Sequence, residues 1–174
     1  RNTLDVIRLI RMLSTLGGGL IFLRSSIFQS ANSMEALVLD LTYLDNDPST
    51  DPAELTTLFT AAGWNTKGQR TTERTARMLE QTRFFVVAKL GVNIVGFGRI
   101  LPDEYYAHVV DVIVAPECRR RGIASEIIKR IIAHAKDRYI GLSLIDGSGF
   151  QALYEKVGFA SADPTTDRLM YWQP

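Results

Sequence analysis

The chain has 174 residues, 46% of them hydrophobic and 22% charged, with a formal net charge of +1. That is enough chain to bury one sizeable core, and the near-zero charge gives no overall pull toward nucleic acid or an anionic membrane surface. One cysteine, Cys118, excludes an intramolecular disulfide and a cysteine zinc site, and with only His108 and His134 beside it no metal is expected.

Residues 1–33 differ from the rest. They hold four arginines against a single acid, Asp5, whereas the remainder carries 16 basic and 18 acidic side chains. Their uncharged run Met12–Leu23 is interrupted by Gly17, Gly18 and Gly19 and falls short of the ~18 residues that cross a bilayer, so no membrane span is expected. Arginine and serine with almost no acid fit an organelle transit segment; an accessory helix, or sequence upstream of a natural start at Met34, fits equally. The domain proper is expected over 34–174.

Within it, Glu35–Leu41 reads as a strand. Asp51 caps a helix with Pro52 at its first position and Glu54 placed to close a capping box; Leu55, Leu58, Phe59 and Ala62 form the apolar face and Gly63 stops it. Thr71–Gln81 reads as a second helix. Phe84–Leu90 and Ile94–Leu101 make a hairpin around Gly91, Val92 and Asn93, and His108–Val114 is a third strand, closed by Ala115 and Pro116. Ile123, Ile127, Ile131 and Ala135, flanked by Ala124, Ile128 and Ile132, form the stripe of a strongly amphipathic helix. Ile140–Leu144 is a short strand, Gly149–Val157 a helix stopped by Gly158, and Leu169–Trp172 a last strand. This order implies one α/β domain with a mixed, partly antiparallel central sheet and helices on both faces.

The segment between the third strand and the long helix reads Arg119, Arg120, Arg121, Gly122, Ile123, Ala124. Small residues in a first helical turn let a ligand approach the backbone, and the unpaired amides there point at whatever anion arrives. Such a loop suits the diphosphate of a nucleotide-like cofactor, although a triple arginine is also the mark of a solvated face. Cys118, directly before the arginines, is either a thiol activated by their charge or an incidental loop residue.

Two stretches together carry a resemblance. The run from Val112 to Pro116 and on through Arg119–Ala124, followed by Leu153, Tyr154, Glu155, Lys156, Val157, Gly158 and Phe159, resembles the GNAT superfamily of acetyl-CoA-dependent N-acetyltransferases. Arg119, Gly122 and Ala124 stand at the places of its phosphate signature, and the similarity extends over most of Glu35–Gln173. Leu55, Leu58, Phe59, Ala62, Gly63 and Trp64, with the closing Asp163, Pro164 and Leu169–Pro174, are most similar to the small enzymes of cyanobacteria and plant plastids. Gly147 stands where the family often has an asparagine, so that contact is not carried over.

The resemblance implies acetyl-CoA as co-substrate. Its pantetheine would lie along Val112, Ile113 and Val114 and its diphosphate on Arg119, Arg120, Arg121, Gly122, Ile123 and Ala124, with Ser125, Phe150 and Tyr154 completing the set. A primary amine, either a small arylalkylamine or polyamine or a protein lysine or amino terminus, would attack the thioester directly. Tyr154 would protonate the departing thiolate, and His108 or Asp111 would take the amine's proton, usually through water. Strand alternation sends those two to opposite faces unless a bulge intervenes. The other class of function in view is a non-catalytic acetyl-CoA-binding or assembly module. A monomer or homodimer in a bacterial cytoplasm or plastid stroma completes the expectation.

Overall fold

Two caps set the start of the first helical pair. In the computed structural model, which describes residues 40–147 and 149–161, Asp51 accepts from the Ala53 amide at 2.9 Å and Thr71 from the Arg74 amide at 3.3 Å. They open α1 (Pro52–Ala61) and α2 (Thr72–Gln81), as side-chain acceptors at these positions do by satisfying orphan amides. Glu54 does not close the capping box: its carboxylate accepts from the Ile94 amide, tying α1 to the sheet.

Five strands follow the order β1 (Leu41–Asp45), β2 (Phe85–Leu90), β3 (Asn93–Pro102), β4 (Tyr106–Val114) and β5 (Gly141–Leu144) across one sheet. All neighbours are antiparallel except β4 and β5, which run parallel. Between those two the chain crosses over through α3 (Ile123–Ala135), and α4 (Gln151–Lys156) follows β5. The expected mixed sheet is present.

Successive residues of β3 show the two faces. Phe97 meets Phe59 of α1 edge-on at 6.2 Å, whereas a Cβ on its neighbour Gly98 would meet Ile127 of α3 at 2.6 Å. Helices therefore cover both faces, and Ile123, Ile127, Ile128, Ile131 and Ala135 of α3 are buried. Gly96 and Gly98 are glycines because α3 lies directly on their Cα atoms.

Several boundaries move. Of the expected strand Glu35–Leu41 only Leu41 is a described strand residue, and β1 runs on to Asp45. Asn93 pairs with Leu90, which leaves a two-residue turn in which Gly91 has φ +59°. The last helix is shorter than Gly149–Val157: Gly149 has φ +74°, outside helical space, and Phe150 is only its cap. The calls on residues 1–33 and on Leu169–Trp172 lie outside the described residues. Among the described residues no helix is long and apolar enough to cross a membrane, and no group of three or more His, Cys, Asp or Glu is placed to hold a metal ion.

The feature that positions the site is a bulge in β4. Phe97 pairs with Ile113 and Arg99 with Val110, so the single residue Gly98 opposes both Asp111 and Val112. Asp111 takes φ +54° to make the extra step. An added residue bends the strand and re-aims the side chains beyond it.

Candidate active site

The bulged half of β4 separates from β5. Their ladder pairs Tyr106–Val109 with Gly141–Leu144 and ends there, while β4 continues to Val114 along β3. Past that fork a cleft of about 1050 Å³ opens, with Val110 to Val114 on one wall and Ile145, Asp146, Phe150 and Tyr154 on the other. Its floor is the loop into α3.

That loop is shaped by two left-handed residues, Arg120 at φ +60° and Gly122 at φ +82°. Gly122 is the N-cap of α3 and offers no side chain to its amides, so the first helical turn presents N–H groups to the cleft. A Cβ at Gly122 would meet nothing within 4 Å, which places its Cα at open space. Arg119 folds back so that its Nε donates to the Val114 carbonyl at 3.2 Å. The side chains Arg119 and Arg120 line the cleft together with Gly122, Ile123, Ala124 and Ser125. Arg121 is not among the lining residues; its guanidinium donates to the carbonyl of Glu117, which is, at 3.1 Å.

Tyr154 faces the cleft from α4, half-buried, with its ring edge-on to Phe159 at 6.2 Å. Burial, and secondly the negative charge of Asp146, raise its hydroxyl above the usual phenol value. It is therefore a protonated O–H at neutral pH.

The two candidates for receiving a proton fare differently. His108 is opposite Leu101 on β3, and Asp111 bonds to Arg99, two residues from Leu101; the bulge thus puts both candidates on one face of the sheet. His108 nevertheless lies outside the cleft, with Nδ1 2.9 Å from the Ser143 hydroxyl of β5. Asp111 lines the cleft, but both its oxygens are engaged, Oδ1 by Arg70 Nη2 at 2.9 Å and Oδ2 by Arg99 Nε at 2.7 Å. Of the two readings of Cys118 the incidental one holds: it is buried, and burial raises its thiol pKa despite the opposing charge of Arg121. It is not an activated thiol.

Trp64, Ala62, Glu117 and Asp146 also line the cleft and were not among the expected site residues. Trp64 carried a signal, a large aromatic one residue beyond a helix stop; Arg70 and Arg99 carried none.

The sequence profile of the Acetyltransferase (GNAT) family matches residues 44–159, and the chain belongs to that family. It is 38% identical over 84 residues to the Uncharacterized N-acetyltransferase YedL of Escherichia coli K12, covering 44% of this chain and 53% of that protein. To GCN5-related N-acetyltransferase 2, chloroplastic, of Arabidopsis thaliana it is 30% identical over 84 residues, covering 47% of this chain and 32% of the relative. The match thus spans about half or less of these relatives. A GNAT-family acetyltransferase structure from Streptococcus pneumoniae TIGR4 superimposes with a TM-score of 0.64 at 23% identity, over 77% of this chain and 98% of that one; at that identity the shared property is the fold.

Proposed function

We propose that the protein is an N-acetyltransferase that moves an acetyl group from acetyl-CoA to a primary amine by direct attack. The observation that carries this reading is the fork: an extended run of β4 with one unpaired edge, ending on a helix start whose amides have no side-chain cap. An extended amide-bearing chain fits the first part and a diphosphate the second. Bound there, acetyl-CoA supplies the activated thioester.

The residues of this chain then divide the work. Backbone groups of Val112–Val114 align the thioester arm. The amides of Gly122–Ser125, with Arg119 and Arg120, hold the diphosphate. Tyr154, kept protonated by its burial, donates to the departing sulfur. Phe150 and Tyr154 cover the far wall and limit water. Asp111 orients the bulge through its arginines; a proton lost by the amine leaves through water, which His108 can reach only from outside the cleft.

Asp111 is committed to two guanidinium groups, so a polyamine gains little from it. Glu117 and Asp146 also line the cleft, so an arylalkylamine, a polyamine and a protein amine all remain acceptors to be tested. The composition of residues 1–33 and the chloroplastic relative support a plastid or bacterial setting. Mixing the protein with acetyl-CoA and phenethylamine, spermidine or a lysine peptide, and following thiol release, tests the proposal. Release with at least one amine is expected; acetyl-CoA binding without release from any would leave a non-catalytic binding module.

A further inference from the structure

Arg70 makes contacts that its place in a surface loop does not require. The segment between α1 and α2 is closed on itself by Asn65, whose Oδ1 accepts from the Arg70 amide at 2.8 Å and whose Nδ2 donates to the Arg70 carbonyl at 3.0 Å. From this anchored backbone the guanidinium lies over the Phe59 ring, 4.2 Å from its centroid, and 5.8 Å from that of Trp64. Trp64 in turn stacks on Phe59 at 6.3 Å and 20°. The same guanidinium reaches Asp111 at the β4 bulge. One side chain therefore joins a buried aromatic, a cleft-lining tryptophan and the bend of the cofactor strand. A planar guanidinium can stack and ion-pair at once, which an ammonium cannot.

The two arginines on Asp111 are not equivalent. Arg99 sits on β3, next to the bulge, and only 15% of its side chain is exposed; Arg70 comes from the loop and is 33% exposed. Removing Arg70 leaves Asp111 with Arg99, so the fork and the cradle keep their support. What changes is the setting of Trp64, 39% exposed and facing the cleft, which keeps its stack on Phe59 but loses the guanidinium beside it.

We propose that Arg70 is a positioning residue that holds Trp64 as the wall met by the acceptor's carbon skeleton, at a fixed distance from the bulged strand. That the skeleton belongs to an acceptor amine rests on the acetyltransferase reading above; the placement of Trp64 by Arg70 does not. Trp172→Phe makes Trp64 the sole tryptophan, and R70M is then compared with Arg70 in that background. Acrylamide quenching of Trp64 is expected to rise about twofold or more in R70M, while calorimetric affinity for acetyl-CoA stays within about twofold, as for a contact outside the cofactor groove. Unchanged quenching overturns the proposal. So does a loss of acetyl-CoA affinity as large as that of Gly122→Asp, which would assign Arg70 to the cofactor strand. Should R70M fail to fold, R70K keeps a cation for Asp111 without the flat stack, and quenching equal to that of the Arg70 protein overturns the proposal. Failure of the Arg70 protein itself to bind acetyl-CoA would remove the cofactor reading and the acceptor's identity, while the quenching comparison would still decide the role of Arg70.

Discussion

At Gly122 the absence of a side chain is the functional property. Its φ of +82° is one that residues with a Cβ rarely adopt, and the space in front of it is open. Gly122→Asp adds strain and a negative charge where a diphosphate would lie. Acetyl-CoA affinity is expected to fall about tenfold or more, since two like charges are brought into contact in place of a hydrogen-bonding surface. Calorimetry on the folded variant checks this, and undiminished affinity would remove the cradle from the argument. Tyr154→Phe keeps the ring against Phe159 and deletes the proton. Turnover is expected to fall within the ~10²- to 10⁴-fold range of general acid steps, with little change in melting temperature. The sign with pH follows from the direction of the shift. The folded phenol ionises later than the unfolded one, so the stability it contributes is complete below the unfolded value of ~10 and is lost as pH rises toward the folded one. A fall in kcat from Tyr154 ionisation accordingly belongs above pH ~10. His108→Ala decides the other proton. Because the ring stands outside the cleft beside Ser143, the pH profile of kcat/KM is expected to keep its shape; a loss confined to pH below about 8 and rescued above it would restore His108 as a base acting through water. The places of the loop before α3 and of Tyr154 beside one cleft were legible because each stretch is marked by adjacent positions. The role of Asp111 was not, because its partners are 41 and 12 residues away and no local spacing links them.

Elements were legible where a local cap or stripe defines them and less so where a partner does. Asp51 and Thr71 announce α1 and α2, and the isoleucine stripe announces α3. The bulge in β4 has no such announcement: Val109, Val110, Asp111, Val112 and Ile113 read as unbroken alternation, and the extra residue appears only against the register of β3. The shortened α4 likewise follows from a backbone angle at Gly149 that composition alone does not dictate. Gly96 and Gly98 show the reverse case, an element's packing distance set by two missing side chains. Gly98→Ala places a Cβ 2.6 Å from Cγ2 of Ile127, a residue with 0% exposure that has no room to swing aside. Such overpacking costs about 1–3 kcal/mol. Denaturant unfolding should show the midpoint falling with an unchanged slope, and a variant as stable as the parent would mean that α3 can slide on the sheet.

For the molecule as a whole, the described fold begins at β1, and every described strand and helix that lines the cleft lies between Leu41 and Lys156. A chain beginning at Met34 is therefore expected to unfold cooperatively and to bind acetyl-CoA as the full chain does, measured by thermal melting and calorimetry. Aggregation of the shortened chain, with exposed apolar surface, would show that the Leu4–Phe28 segment is part of the domain. The family-profile match over residues 44–159 sets the same scale.

The fork in the sheet has a further consequence. Most sheets leave their unpaired hydrogen-bonding groups on outer strands, where any passing polypeptide can add itself and begin a fibril. Here Val110 to Val114, paired with β3 along one edge and past the end of the β5 ladder on the other, places such an edge inside the sheet, above a helix start. A strand with side chains on both faces would have to thread between the two walls to reach it; a slender, unbranched chain bearing a few amides would not. Because that edge is main chain, its hydrogen-bonding groups do not depend on which side chains surround it.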